Sequence, residues 1–135
     1  MTEVETTDYT LKDSGQRKIF ESGANRDLSS GKGRFDLLPP ATLRALAIHY
    51  EKGAVKYDAR NWEKGIPVSR YIDSALRHTF QFVDGCDDEN HLIASIWNLI
   101  CAAETILRIQ RCKLPEELYD LPNKVKLPDP YETKK

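Results

Sequence analysis

Carboxylates, histidines and an amide recur at helical spacing through the middle of the chain, and that mixture suits a divalent cation or a phosphorylated ligand. Glu51, Asp73 and the run Asp87-Asp88-Glu89 are hard oxygen donors of the kind Mg2+ or Mn2+ takes, and they belong to three different helical segments. His78 lies one turn beyond Ser74 and could accept a proton near neutral pH. His91, Ser95 and Asn98 stand at i, i+4 and i+7, so they share one helical face. Asn98 is set among Trp97, Leu99, Ile100 and Cys101, where an amide must find partners or cost free energy. Arg70, Asp73 and Arg77 share a face at i, i+3 and i+7.

A phosphate-binding site also needs cations and close backbone approach. Gly31-Lys32-Gly33-Arg34 offers two cations on a permissive backbone, without the GxxxxGK[ST] spacing of a P-loop. Lys56 and Arg60 add positive charge, and Asn61 and Trp62 follow directly. Phe35 and Trp62 could stack on a base or serve as core residues.

Each feature also has a plainer reading. Arg70, Asp73 and Arg77 could be a solvated ion-pair ladder, which contributes only a few tenths of a kcal/mol per pair, about what exposed pairs give. Asn98 could bridge to a neighbouring helix, His78 could be a packed histidine, and Glu51 could be a boundary carboxylate. Asp87, Asp88 and Glu89 have a sufficient structural reason in the dipole of the helix they precede.

The elements that would position these groups are helices. Apolar residues Leu43, Leu46, Ala47, Tyr50, Ala54 and Tyr57 predict a first helix from about Ala41 to Tyr57, opened by Pro39-Pro40. Ser69 reads as the N-cap of a second helix running to about Val83, with a stripe of Ile72, Ala75, Leu76, Thr79 and Val83 and a stop at Gly85. Asp87 or Asp88 reads as the cap of a third, running to about Arg111, with Leu92, Ile96, Leu99, Ala103, Ile106 and Ile109 as its apolar face. Residues 16–36 read as ordered loop, residues 1–15 as a mobile N-terminus, and the proline-punctuated residues 113–135 as an extended tail. The expectation is an all-α bundle of three main helices over residues 16–112, small enough that association into dimers or tetramers would bury further apolar surface.

Bulk composition narrows the class. Hydrophobic residues at 40% and charged residues at 30% describe a globular chain, and a net charge of −1 gives no whole-molecule attraction to nucleic acid. The apolar stretch near Leu92–Leu107, interrupted by Asn98 and Glu104, reads as too short and polar to span a bilayer. The acidic start Met1-Thr2-Glu3-Val4-Glu5 does not read as a signal peptide. Three cysteines without CxxC spacing indicate neither a disulfide framework nor a zinc ribbon, and a reducing cytoplasm is the expected compartment.

Several segments together resemble the phage dATP/dGTP diphosphohydrolase family. They are Phe20-Glu21-Ser22-Gly23-Ala24-Asn25-Arg26-Asp27, Gly31 through Pro40, Glu51 through Tyr57, Arg60 through Gly65, Asp73 through His78, and His91-Leu92 with Trp97-Asn98. The family is similar to the MazG-like all-α NTP pyrophosphohydrolases and includes MazZ-type proteins of phages that use 2-aminoadenine. The resemblance implies hydrolysis of a purine (d)NTP, dGTP or GTP for the MazZ branch, to (d)NMP and pyrophosphate. It further implies Mg2+ or Mn2+, helical dimers or tetramers, and a site in the cytoplasm of an infected host. The ExxE and ExxD pairs of MazG-like enzymes are absent here: Ile48 and Ala54 flank Glu51, and Ser95 and Asn98 stand where ExxD falls. Either Asp73, Asp88 or Glu89 and the histidines replace the metal cage of those pairs, or the metal site is reduced; the expected metal set is Glu51, Asp73, Asp88 and Glu89, and the expected catalytic set is Glu51, Asp73 and His78. The expected substrate contacts are Lys32, Arg34, Lys56, Arg60, Asn61, Trp62, Arg77, His91 and Asn98. A nucleotide-binding protein without turnover and a broad house-cleaning NTPase are the competing readings.

Overall fold

The computed structural model describes residues 9–132, so the first eight residues of the expected mobile N-terminus lie outside the described range. The chain divides into two compact units after Leu38.

The first unit, read as loop, holds a short antiparallel hairpin, β1 (Arg17–Ile19) and β2 (Asn25–Asp27), with Lys18 opposite Arg26. Three residues per strand leave no alternation for a sequence pattern to reveal. Gly23 has φ of +88° at the turn, a conformation that favours glycine. Asp13, expected in a mobile segment, is instead paired with Arg17, whose guanidinium also reaches Asp27 at 2.6 Å. That guanidinium holds the Asp13 carboxyl well below the usual carboxylate range.

The second unit is all-α. It comprises α1 (Pro40–Tyr57), α2 (Val68–Val83) and α3 (His91–Gln110), with the strongest packing between α2 and α3 and with α1 laid on α3. Helix positions agree with the apolar periodicity, but two caps differ. Asn90, rather than Asp87 or Asp88, caps α3 by accepting from the Ile93 N–H at 3.1 Å. Ser69 lies inside α2, where its N–H donates to Asp120 Oδ1 at 2.8 Å and its hydroxyl to Oδ2. Asp120 thus caps α2 from fifty-one residues away, a role no local pattern can announce.

Two of the apolar faces are rotated from their expected phase. On α2 the buried residues are Val68, Tyr71 and Ala75, while Leu76 and Val83 are exposed. On α3 they include Ala94, Ser95, Asn98, Cys101, Ala102 and Thr105, while Leu92 and Leu99 are about half exposed. Small residues let the two backbones approach closely, and the hydroxyls are satisfied locally. Ser95 donates to the Ala75 carbonyl across the seam at 2.9 Å, and Thr105 donates to the Cys101 carbonyl at 2.7 Å. α3 is also long and apolar enough, by length and composition alone, to cross a bilayer, which its interruptions by Asn98 and Glu104 had argued against; in this fold it is the central helix. All three cysteines are free, and burial pushes the Cys101 thiol up to about 11.

The segment after α3 is not a free tail. Tyr119 joins Val68, Tyr71, Cys101, Ala102 and Ile106 in the core and donates its hydroxyl to the Val125 carbonyl at 2.7 Å. Gln110 and Leu127 exchange two hydrogen bonds, and Arg111 grips Asp129 with a fork at 2.6 and 2.7 Å. Large-to-small changes at buried aromatic positions cost about 3–5 kcal/mol. Urea denaturation of Tyr119→Ala is therefore expected to show a loss of that order, and wild-type stability would mean that residues beyond α3 lie outside the cooperative unit.

Candidate functional site

The α2–α3 seam positions two groupings. One is a cleft of about 370 Å3 lined by residues from α1, the 58–66 loop, α2 and α3. Its floor is aromatic: Tyr50 and Tyr71 meet the Trp97 ring edge-on, with centroids 5.9 and 6.3 Å away, and Tyr50 meets Trp62 at 6.4 Å. Trp62 both packs on the core and borders the cleft, and Arg108 covers it at 5.0 Å. Burial pushes the Tyr71 phenol up to about 12, which keeps it a neutral hydroxyl; it donates to the Trp62 carbonyl at 3.4 Å.

The polar rim carries Arg60, Arg70 and Arg77 with Asp58, Asp73, Asn61, Ser74 and Asn98. Arg77 reaches Asp73 and Ser74, both at 3.1 Å, and Arg60 pairs with Glu63 at 2.8 Å. The Arg70 backbone N–H bonds to the Pro67 carbonyl at 3.0 Å, while its guanidinium has no hydrogen bond or ion pair among the described residues. Asn98 does not bridge to another helix: its amide N–H bonds back to the Ala94 carbonyl at 2.8 Å while the residue lines the cleft. The Trp97 indole N–H is buried without an acceptor, which costs about 1–3 kcal/mol. The loop is held by left-handed backbone at two non-glycine residues, Asp58 (φ 87°) and Arg60 (φ 62°), strain that persists only when neighbours impose it. Gly53 contributes an open wall, since a Cβ there would meet nothing within 4 Å.

The second grouping lies where α2 nears its end and α3 begins. His78 Nδ1 and His91 Nδ1 are 2.9 Å apart, and Glu89 Oε1 is 3.2 Å from the first and 3.4 Å from the second. His91 Nε2 meets Asp88 Oδ1 at 2.7 Å. Burial lowers the pKa of His78, and the neighbouring His91 and Arg77 lower it further, while Glu89 and Asp88 oppose the shift. His49 packs on Trp97 with the rings tilted and their centroids 5.4 Å apart, and so links the two groupings; burial lowers its pKa, assisted by His78 and Lys52 and opposed by Glu89.

Of the residues singled out from the sequence, the cleft brings together Arg60, Asn61, Trp62, Asp73, Arg77 and Asn98. His91 is not a cleft residue: it is 2% exposed and committed to His78 and Asp88. Glu51 is exposed on α1 and joins neither grouping, because the half-buried arc of that helix runs through Leu46, Tyr50 and Ala54. Lys56 sits over the Tyr57 ring at 4.9 Å. Lys32 and Arg34 belong to the first unit, where Arg34 forms a fork on Asp36 at 2.8 and 2.7 Å. No three of Glu51, Asp73, Asp88 and Glu89 gather around one point among the described residues. The cleft is also lined by Tyr50 and Tyr57, expected only as part of the apolar stripe of α1, by Trp97, expected only as a neighbour of Asn98, and by Asp58 and Tyr71, which no pattern singled out. Arg70 joins them, and its place on one face with Asp73 and Arg77 was the available signal.

A family model described as dATP/dGTP diphosphohydrolase, N-terminal, matches residues 22–113. The chain belongs to this family, whose name indicates hydrolysis of purine deoxynucleoside triphosphates. Comparison with curated proteins and with solved structures gives no match.

The lowered pKa of His49 and His78 has a defined sign. Both rings hold a proton less tightly folded than unfolded, so their stabilising contribution is present above the ordinary histidine value of 6.5 and is lost as pH falls below it. Thermal unfolding followed from about pH 7.5 to about pH 5.5 is expected to show falling Tm, with a shallower slope in His49→Gln. An equal slope in that variant would place the pH sensitivity elsewhere.

Proposed function

We propose that the α1–α2–α3 cleft binds a purine (d)NTP, with dGTP or GTP foremost, and that water attacks its α-phosphorus to release pyrophosphate and leave (d)NMP. The observation that carries this reading is the pairing of an aromatic floor with three rim arginines in one cleft of ligand size. Guanidinium groups match phosphate oxygens two at a time, and aromatic faces accept a purine without demanding base-edge contacts.

In this reading Arg70, whose guanidinium has no protein partner among the described residues, and Arg77 neutralise the β- and γ-phosphates. Arg60 and Asn61 hold the chain of phosphates from the loop side. Asp73, beside Arg77, orients the attacking water and takes its proton as the oxygen adds, and Asn98 contacts sugar or base. The bond from the α-phosphorus to the bridging oxygen breaks as the water oxygen adds, and the leaving pyrophosphate carries the charge that the arginines offset. Positioning and electrostatic stabilisation supply most of the catalysis in such phosphoryl chemistry. The same reading places the activity in nucleotide-pool remodelling during phage infection, in an oligomer of helical subunits in the host cytoplasm.

Gly53 provides the test that separates site from scaffold. Gly53→Ala is expected to stabilise the protein by roughly 0.5–1 kcal/mol, since glycine inside a helix is less favourable than alanine. Gly53→Phe is expected to fill the cleft and raise KM for dGTP with the fold intact by circular dichroism. Arg77→Ala is expected to lower kcat/KM for pyrophosphate release from dGTP about 10- to 100-fold, the range for losing one charge-assisted contact. Normal turnover in both Gly53→Phe and Arg77→Ala would remove the cleft from the reaction.

A further inference from the structure

The cluster between α2 and α3 is made of donors that the cleft does not use. We propose that His78, Glu89 and His91 bind one divalent transition-metal ion of the class that accepts imidazole nitrogen together with carboxylate oxygen, from Mn2+ to Zn2+, in preference to Mg2+. The proposal stands apart from the nucleotide reading, since it concerns atoms outside the cleft.

The first argument is geometric. His78 Nδ1, His91 Nδ1 and Glu89 Oε1 form a triangle with edges of 2.9, 3.2 and 3.4 Å. An ion bonded at about 2.0–2.2 Å has ligand atoms roughly 3.0 Å apart in octahedral and roughly 3.3 Å apart in tetrahedral coordination. The triangle spans those two values, so an ion seated just off its plane reaches all three atoms with little movement. Two imidazoles and one carboxylate on a single face also leave the opposite positions open, as metal sites that bind water or substrate do.

The second argument is proton accounting. The Asp88 carboxylate meets His91 Nε2 at 2.7 Å and so favours the proton on that nitrogen, leaving Nδ1 with a lone pair. That lone pair faces His78 Nδ1 and Glu89 Oε1. Three acceptor-capable atoms are then within 3.4 Å of one another with a single imidazole proton to share. A cation at their centre satisfies all three at once. His91 is 2% exposed, so water cannot make up the deficit at its ring. Glu89 is about half exposed and gives an ion its way in.

The third argument is preorganisation. His91 is the first residue of α3, behind the Asn90 cap, and Ser95 one turn later is tied to the Ala75 carbonyl. His78 follows Ala75 by three residues on α2. The seam therefore sets the distance between the two rings before any ion arrives. The groups that bear on the cluster are His49 and Lys56 from α1, Arg77 on α2 and Asp88 in the loop. Imidazole donors favour a transition metal over Mg2+, which requires oxygen and keeps its waters.

The test uses the full chain, without an affinity tag, stripped by chelator, with no nucleotide present. The chain has three histidines, of which His49 lies outside the triangle. Equilibrium dialysis with Co2+ and with Zn2+ is expected to give one ion per chain. Bound Co2+ is expected to show visible absorption of mixed nitrogen and oxygen ligation, discharged by Zn2+ and unaffected by millimolar Mg2+. Glu89→Gln and His78→Ala are expected to weaken Co2+ binding at least tenfold, and Asp88→Asn, which acts through His91, by about tenfold. Glu89 is exposed in a loop, so its variant keeps the test informative should a histidine variant fail to fold. Absence of stoichiometric Co2+ and Zn2+ binding, displacement of Co2+ by Mg2+, or unchanged affinity in Glu89→Gln would overturn the proposal. Loss of pyrophosphate release in the Gly53 and Arg77 variants bears on the cleft and leaves this result untouched.

Discussion

The close approach of α2 to α3 is the constraint on which the second unit depends. It is built from small and hydroxylated residues, with Ser95 donating into the Ala75 carbonyl at 2.9 Å and its oxygen 2.7 Å from that of Thr79. A large aliphatic residue at Ala75, Ala94 or Ser95 would force the helices apart. The buried hydroxyls of Ser95 and Thr105 are each satisfied within one turn or directly across the seam, so they help specify its register without leaving a deficit of their own.

Both groupings follow from that register. Toward one end the seam sets His78 against His91, with Glu89 and Asp88 supplied by the turn between the helices. Toward the middle it sets Tyr71 and Ser74 beside Trp97 and Asn98, and α1 and the 58–66 loop complete the cleft. His49, packed on Trp97, feels the charge of Glu89 and His78, so the two groupings share an electrostatic environment as well as a scaffold.

The closing segment shows how a small core reaches stability. Three helices leave Val68, Tyr71 and Ile106 short of cover, and Tyr119 with partly buried Leu121 and Leu127 provides it. Asp120, bound to Ser69, then satisfies the start of α2. Its hydrogen bonds from Ser69 hold the Asp120 carboxyl below the usual carboxylate range. The residues after Gln110 therefore act as part of the helical unit, although their composition reads as a tail.

Helix positions were legible in the sequence because they depend on near neighbours: prolines before α1, apolar recurrence at three and four residues, and glycine after α2. The family was legible too, since its motifs are strings of residues and the match over 22–113 requires no folding to read. Six of the residues singled out share the cleft because they already shared helix faces or one loop. What tertiary structure alone decided was phase and partnership. Ala75 and Ile106 are buried as their stripes predicted, but the faces of α2 and α3 are turned toward Tyr71, Ala94, Asn98 and Cys101 rather than toward Leu76, Leu92 and Leu99, because tight helix packing at Ala75 and Ala94 rewards small volume over hydrophobicity at the point of contact. The pairing of His78 with His91, the cap from Asp120 and the placing of Glu51 outside both groupings are relations between distant parts of the chain. One-dimensional spacing carries no information about them, since each depends on which surfaces meet when the helices pack.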